Sequence, residues 1–122
     1  MLNVFVVGAG GFLGAVARYL IGLITISETF LFPIKTFLIN VIGCILIGLI
    51  TIAVSKNIPF SPQLVLFMKV GVCGGFTTFS TFALETAALL KDGHSMIAFL
   101  YILLSVLAGI FVIFAIEILL AR

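Results

Sequence analysis

Between Gly71 and Phe82 the chain reads GVCGGFTTFSTF: glycines, then the hydroxyls of Thr77, Thr78, Ser80 and Thr81, interleaved with Phe76, Phe79 and Phe82. These types suit ion handling better than bond making. Hydroxyls donate and accept hydrogen bonds. Phenylalanine rings carry a positive edge that a small anion can approach, and Phe79 and Phe82 lie three apart, on one helical face. Gly74 and Gly75 weaken a helix. Carbonyls set free by a break there suit a hard cation, and the neighbouring hydroxyls can satisfy the other backbone groups it frees.

The rest of the chain defines the medium. Of 122 residues 64% are hydrophobic and 8% charged, with a mean hydropathy of +1.50. Six basic and four acidic side chains cannot make the polar shell of a soluble domain. A span needs ~20 apolar residues to cross ~30 Å of hydrocarbon, so the length holds a single transmembrane domain, 1–122, with spans at about 3–26, 34–54, 62–90 and 95–120. The expected fold is an all-α membrane protein of four transmembrane helices, the third broken near Gly74 to Thr78. Irregular backbone at membrane depth is tolerated only where it is buried in protein or lines a wet cavity, which marks the break as a site.

Several readings fall away. A net charge of +2 is too small and scattered for nucleic acid. Cys44 and Cys73 lie in apolar segments, suggest no disulfide and, with one distant histidine, make no metal-site spacing. The amino terminus lacks the basic region and cleavage site of a signal peptide and is more simply the first span. Gly8, Gly10 and Gly14, with Glu28 beyond, resemble a dinucleotide-binding turn, but no strand–helix–strand context surrounds them.

Other polar and small residues locate helix contacts. Gly10, Gly14, Arg18 and Gly22 recur every four residues on one face of the first span, where small residues admit a second backbone. Arg18 carries a charge into or near the bilayer at a cost of roughly 3 kcal/mol. Lys35 sits at an interface, free to snorkel. Asn40, with Gly43 and Gly48, must face another helix or a wet cavity. Glu85 is either an intramembrane functional acid or a helix-end acid. His94 falls in a loop, and Tyr101, Ser105 and Gly109 form a stripe on the fourth span.

Four spans place both termini on one side of the membrane. Lys56, Arg122 and possible flanking Lys69 on that side are nearly balanced by Lys35 and Lys91, with Arg18, on the other, so the basic-residue bias that orients membrane chains chooses neither. Two copies in opposite orientations can then pair about an axis in the membrane plane. Burying Arg18, Asn40, Glu85 and the hydroxyls also calls for more than four helices. A dual-topology antiparallel homodimer is expected.

GAVARY at Gly14 to Tyr19, the pair Asn40 and Gly43, and above all GGFTTFSTF at Gly74 to Phe82 resemble the Fluc (CrcB) family of fluoride channels. The likeness spans all four helices. It implies an antiparallel dimer in a bacterial-type plasma (inner) membrane, passing fluoride passively through two narrow pores and so lowering cytoplasmic fluoride. Phe79 and Phe82 would be the pore phenylalanines and Asn40 an amide at the vestibule. Ser80, Thr81, Tyr101 and Ser105 would supply polar groups along the pore, with Arg18 and Glu85 as further functional residues. The carbonyls of Gly74 and Thr77 would hold a structural sodium ion at the dimer interface. A bore of this kind admits an ion without retaining it, which conduction requires.

Two rival readings remain. A small dual-topology, proton-coupled exporter of small compounds would have to rest on Glu85, since the first span offers no carboxylate. A structural subunit would explain the glycine faces but not the furnished break. An enzyme is not expected, because no nucleophile is paired with a base.

Overall fold

The computed structural model describes residues 1–26 and 29–120. Ser27, at the start of the first connection, Glu28, the acid of the nucleotide reading, and Arg122, counted in the charge balance, lie outside the described residues.

The apolar runs form helices. The first span is α1 (Leu2–Gly22) and the second is α2 (Ile34–Ser55), which begins directly after Pro33. The third span opens with α3 (Pro62–Val65), whose Ser61 cap accepts the Leu64 amide at 3.2 Å, and passes into a π-helical stretch, Leu66–Cys73. A short α4 (Gly74–Phe76) follows, and the backbone then extends at Thr77 and Thr78 before resuming as α5 (Phe79–Lys91). A turn with Gly93 at φ +83° leads to the fourth span, α6 (Ser95–Leu120). All four spans, Leu2–Gly22, Ile34–Ser55, Pro62–Lys91 and Ser95–Leu120, are long and apolar enough to cross a membrane. The chain is therefore a multi-pass membrane protein.

The break falls at Thr77 and Thr78, inside the expected interval, but the eight π-helical residues before it have no counterpart in the sequence reading. Such wide turns gather at functional sites. Here the stretch meets α1 backbone to backbone. A Cβ on Gly10 would strike the Phe67 carbonyl and come within 2.9 Å of the Gly71 Cα, and one on Gly14 would strike the Val72 carbonyl and lie 2.7 Å from the Phe76 nitrogen. Gly75 is closed in the same way by the backbone of Gly11. The expected glycine face therefore runs through Gly10 and Gly14, but not to Gly22, beside which there is open space.

Helix α1 stops at Gly22, short of the expected Ile26. The cause is visible in α2: Lys35 donates to the carbonyls of Gly22 at 2.9 Å and Ile24 at 3.1 Å, satisfying groups that a helix end leaves without partners. Lys35 is thus a tie between spans. On the other side of the molecule α2 lies along α6, with Gly48 against Ile116 and Gly109 against the Cys44 sulfur. Leu89, Ala98 and Tyr101 form a small buried cluster between α5 and α6, flanked by Phe32, Phe37 and Phe82.

Candidate functional site

The break is held by side chains that replace lost helical bonds. Thr77 returns its hydroxyl to the Cys73 carbonyl at 2.9 Å. Buried Thr78 caps α5, its hydroxyl accepting the Thr81 amide at 3.1 Å and donating to the Thr81 hydroxyl at 3.0 Å; the Ser80 hydroxyl lies 3.4 Å away. Asn40, reaching across from α2, treats Thr78 as a neighbouring strand would. Its Oδ1 accepts the Thr78 N–H at 2.8 Å, and its Nδ2 donates to the Thr78 carbonyl at 3.1 Å. On the far side Arg18 donates through Nε to the Gly75 carbonyl at 3.2 Å, placing positive charge at a helix C-terminus, where it is favoured.

These diversions leave two carbonyls without their helical donors. The Thr78 N–H that would close a turn on Gly74 goes to Asn40, and the Thr81 N–H that would close one on Thr77 goes to the Thr78 hydroxyl. Gly74 and Thr77 both line an open cavity of about 410 Å³ that also includes Asn40, Lys69, Thr78 and Phe79. Freed carbonyls beside open space are a fitting donor set for a hard cation such as sodium.

Beyond that cavity the rings form a line. Phe79 is 79% exposed, and its centroid lies 5.8 Å from that of half-buried Phe82, which in turn packs at 4.9 Å against the fully buried ring of Tyr101. The Tyr101 hydroxyl donates to one oxygen of Glu85 at 2.7 Å, and buried Thr36 donates to the other at 2.8 Å. Glu85 then borders a second cavity, of about 170 Å³, together with Phe30, Phe32, Pro33 and Lys35. Between the two openings stand an amide, three aromatic rings and a carboxylate gripped by two hydroxyls.

Known proteins with this sequence pattern can now be set beside that geometry. The family described as CrcB-like protein, Camphor Resistance (CrcB), matches residues 5–116. The Fluoride-specific ion channel FluC of Chlorobaculum tepidum is 44% identical over 115 residues, covering 94% of this chain and 91% of its own length. Proteins of the same description from Prosthecochloris aestuarii and Ruminiclostridium cellulolyticum are 47% and 46% identical, covering 87% of this chain and 83% and 82% of their own lengths. The chain belongs to the CrcB (FluC) family. That family consists of channels, not enzymes.

Within this CrcB chain the expected residues do not all share one place. Asn40, Thr81, Phe79, Phe82, Tyr101 and Glu85 follow one another around the break and along α5, whereas Arg18 stands behind it, turned to the Gly75 carbonyl. Ser80 lies at the exposed start of α5, and the Ser105 hydroxyl is buried with no hydrogen-bond partner among the described residues. Two participants escaped the sequence reading: Thr36, which grips Glu85, and Phe32, whose ring stands edge-on to Tyr101 at 5.3 Å. Thr36 precedes Asn40 by four residues and so shares its helix face, the one signal that could have found it.

Proposed function

We propose that this chain is a passive, fluoride-selective channel that acts as an antiparallel homodimer and lowers cytoplasmic fluoride. The observation that carries the reading is the continuous series from Asn40 through Phe79 and Phe82 to Tyr101, Glu85 and Thr36, with a cavity at either end. The 44–47% identity to proteins described as fluoride-specific ion channels supports the choice of ion.

The chemistry follows in order. Fluoride, strongly hydrated, sheds water where amide and hydroxyl donors replace it; Asn40 keeps a second Nδ2 hydrogen beyond the one given to Thr78. The positive edges of Phe79 and Phe82 then receive the anion weakly enough to release it. Tyr101 and Thr36 give their single hydroxyl hydrogens to Glu85, so the carboxylate holds these two side chains in place near the second opening. The hydroxyl left with a hydrogen for the anion is that of Thr81, whose oxygen accepts from Thr78. Neutral hydrogen fluoride enters cells from acidic surroundings and ionises inside. An uncoupled anion path lets it leave down its gradient.

A second copy completes the site in this reading. Phe79 is 79% exposed and Gly74 faces open space, as expected of surfaces that another molecule covers. The carbonyls of Gly74 and Thr77, paired with those of an antiparallel partner, would bind a structural sodium ion, which supplies charge that holds the two breaks together. Hard cations take several oxygen ligands, more than one chain offers here.

Proton-coupled export through Glu85 is the second reading, favoured only by the membrane depth of that carboxylate. The two separate in liposomes loaded with potassium fluoride. An uncoupled channel releases fluoride only when a potassium ionophore relieves the opposing voltage, and retains chloride under the same conditions. Release that needs no ionophore but follows an imposed proton gradient would replace the channel with the exporter.

A further inference from the structure

We propose that Lys69 draws the anion into the larger cavity, a role that rests on the channel reading above. Lys69 lies seven residues after Pro62, roughly 10 Å along the third span at helical rise. A charge at such depth is costly unless it faces water or a partner. Lys69 is half-buried in the π-helical stretch and is the one charged residue lining the cavity of about 410 Å³, which it shares with Asn40, Gly74, Thr77, Thr78 and Phe79. A sodium ion on the Gly74 and Thr77 carbonyls would add to the same positive field. It is not a residue of the flanking loop, as the charge count allowed.

Two other cations of the spans are occupied, and Lys91, the last residue of the third span, is not among the residues that line this cavity. Arg18 is tied to the Gly75 carbonyl, and Lys35 at the smaller opening is tied to the carbonyls of Gly22 and Ile24. Lys69 has no hydrogen bond or ion pair among the described residues. An ammonium without a fixed partner, at the rim of a low-dielectric cavity, raises the local concentration of an approaching anion through its field. It does so from outside the ring pair. That separation matters, because a cation in contact with the anion at the narrow point would retain it. Lys69 faces the cavity while Gly71, two residues on and so on the opposite side of the helix, rests against α1.

The test is fluoride conductance of the reconstituted full chain, wild type beside Lys69→Gln and Lys69→Arg, at low fluoride and with ionic strength set by an impermeant electrolyte. At ~10 mM ionic strength fields reach about 30 Å, and at ~1 M about 3 Å. The Gln variant should conduct roughly 3- to 10-fold less than wild type at low ionic strength and converge with it at high, while the Arg variant follows wild type throughout. A Gln variant equal to wild type at low ionic strength, or reduced by the same factor at both, overturns the proposal. Should the Gln variant fail to assemble, the wild type alone decides: its conductance at fixed low fluoride must fall as impermeant salt is added, and indifference to salt rejects the role. A wild type that carries no fluoride at any ionic strength would instead remove the channel reading itself.

Discussion

Asn40 and Thr78 show how much of this site is a matter of single hydrogen bonds. Asn40→Ala removes an acceptor and a donor at once, leaving both backbone groups of buried Thr78 without partners. The expected cost is about 1–3 kcal/mol for each buried group so stranded, measurable as a fall in chemical-denaturation midpoint, with fluoride flux lost in parallel. Phe79 makes the opposite case. Its ring is 79% exposed in the single chain, so Phe79→Ile should leave the fold intact and lower fluoride flux by about tenfold or more if ring edges carry the ion. Unchanged flux through a folded Phe79→Ile protein would remove the phenylalanines from the mechanism. Tyr101→Phe deletes one of the two hydroxyls on Glu85 and should cost about 1–3 kcal/mol, read as a fall in the same denaturation midpoint. That Asn40 needs a partner across a helix contact was legible from residue type, since an amide among apolar residues must find one. Phe79 and Phe82 alone read as ordinary packing and were singled out by the motif around them. Thr36 was not, because a threonine in an apolar helix usually satisfies itself on its own backbone.

At the scale of elements, the third span works because it is both wide and broken. The break could be read from adjacent glycines followed by hydroxyls, since each residue type contributes locally. The π-helical stretch could not, because its register depends on how α1 seats against Gly71 and Gly75, which is a tertiary contact. Glycine spacing correctly marked the α1 face at Gly10 and Gly14, yet it included Gly22, where nothing packs. This difference is testable. Gly14→Ala places a methyl group on the Val72 carbonyl, backbone that cannot yield, and should destabilise by about 1–3 kcal/mol. Gly22→Ala meets open space and should be neutral, or slightly stabilising through better helix propensity. Equal effects of the two substitutions, read by thermal stability in detergent, would contradict the packing of α1 on the third span.

For the whole molecule, four spans were legible from hydropathy because the bilayer requires each to be long, apolar and internally hydrogen-bonded. Assembly is a different matter. The near balance of basic residues, the exposed Phe79 and the open cavity all suit a partner of opposite orientation. Single cysteines placed near the amino terminus, in a Cys44- and Cys73-free background, should be labelled by an impermeant reagent in intact cells on about half the copies. Labelling of all copies, or of none, would exclude the antiparallel arrangement. The central claim, however, is selectivity without coupling, and the reversal potential of the reconstituted protein in a planar bilayer tests it most directly. Under a tenfold fluoride gradient with symmetric chloride and a fixed pH on both sides, the current should reverse at the fluoride equilibrium potential, ~59 mV in magnitude for a monovalent ion. Reversal near zero, or at a value that moves with an imposed pH gradient, would contradict a passive fluoride channel.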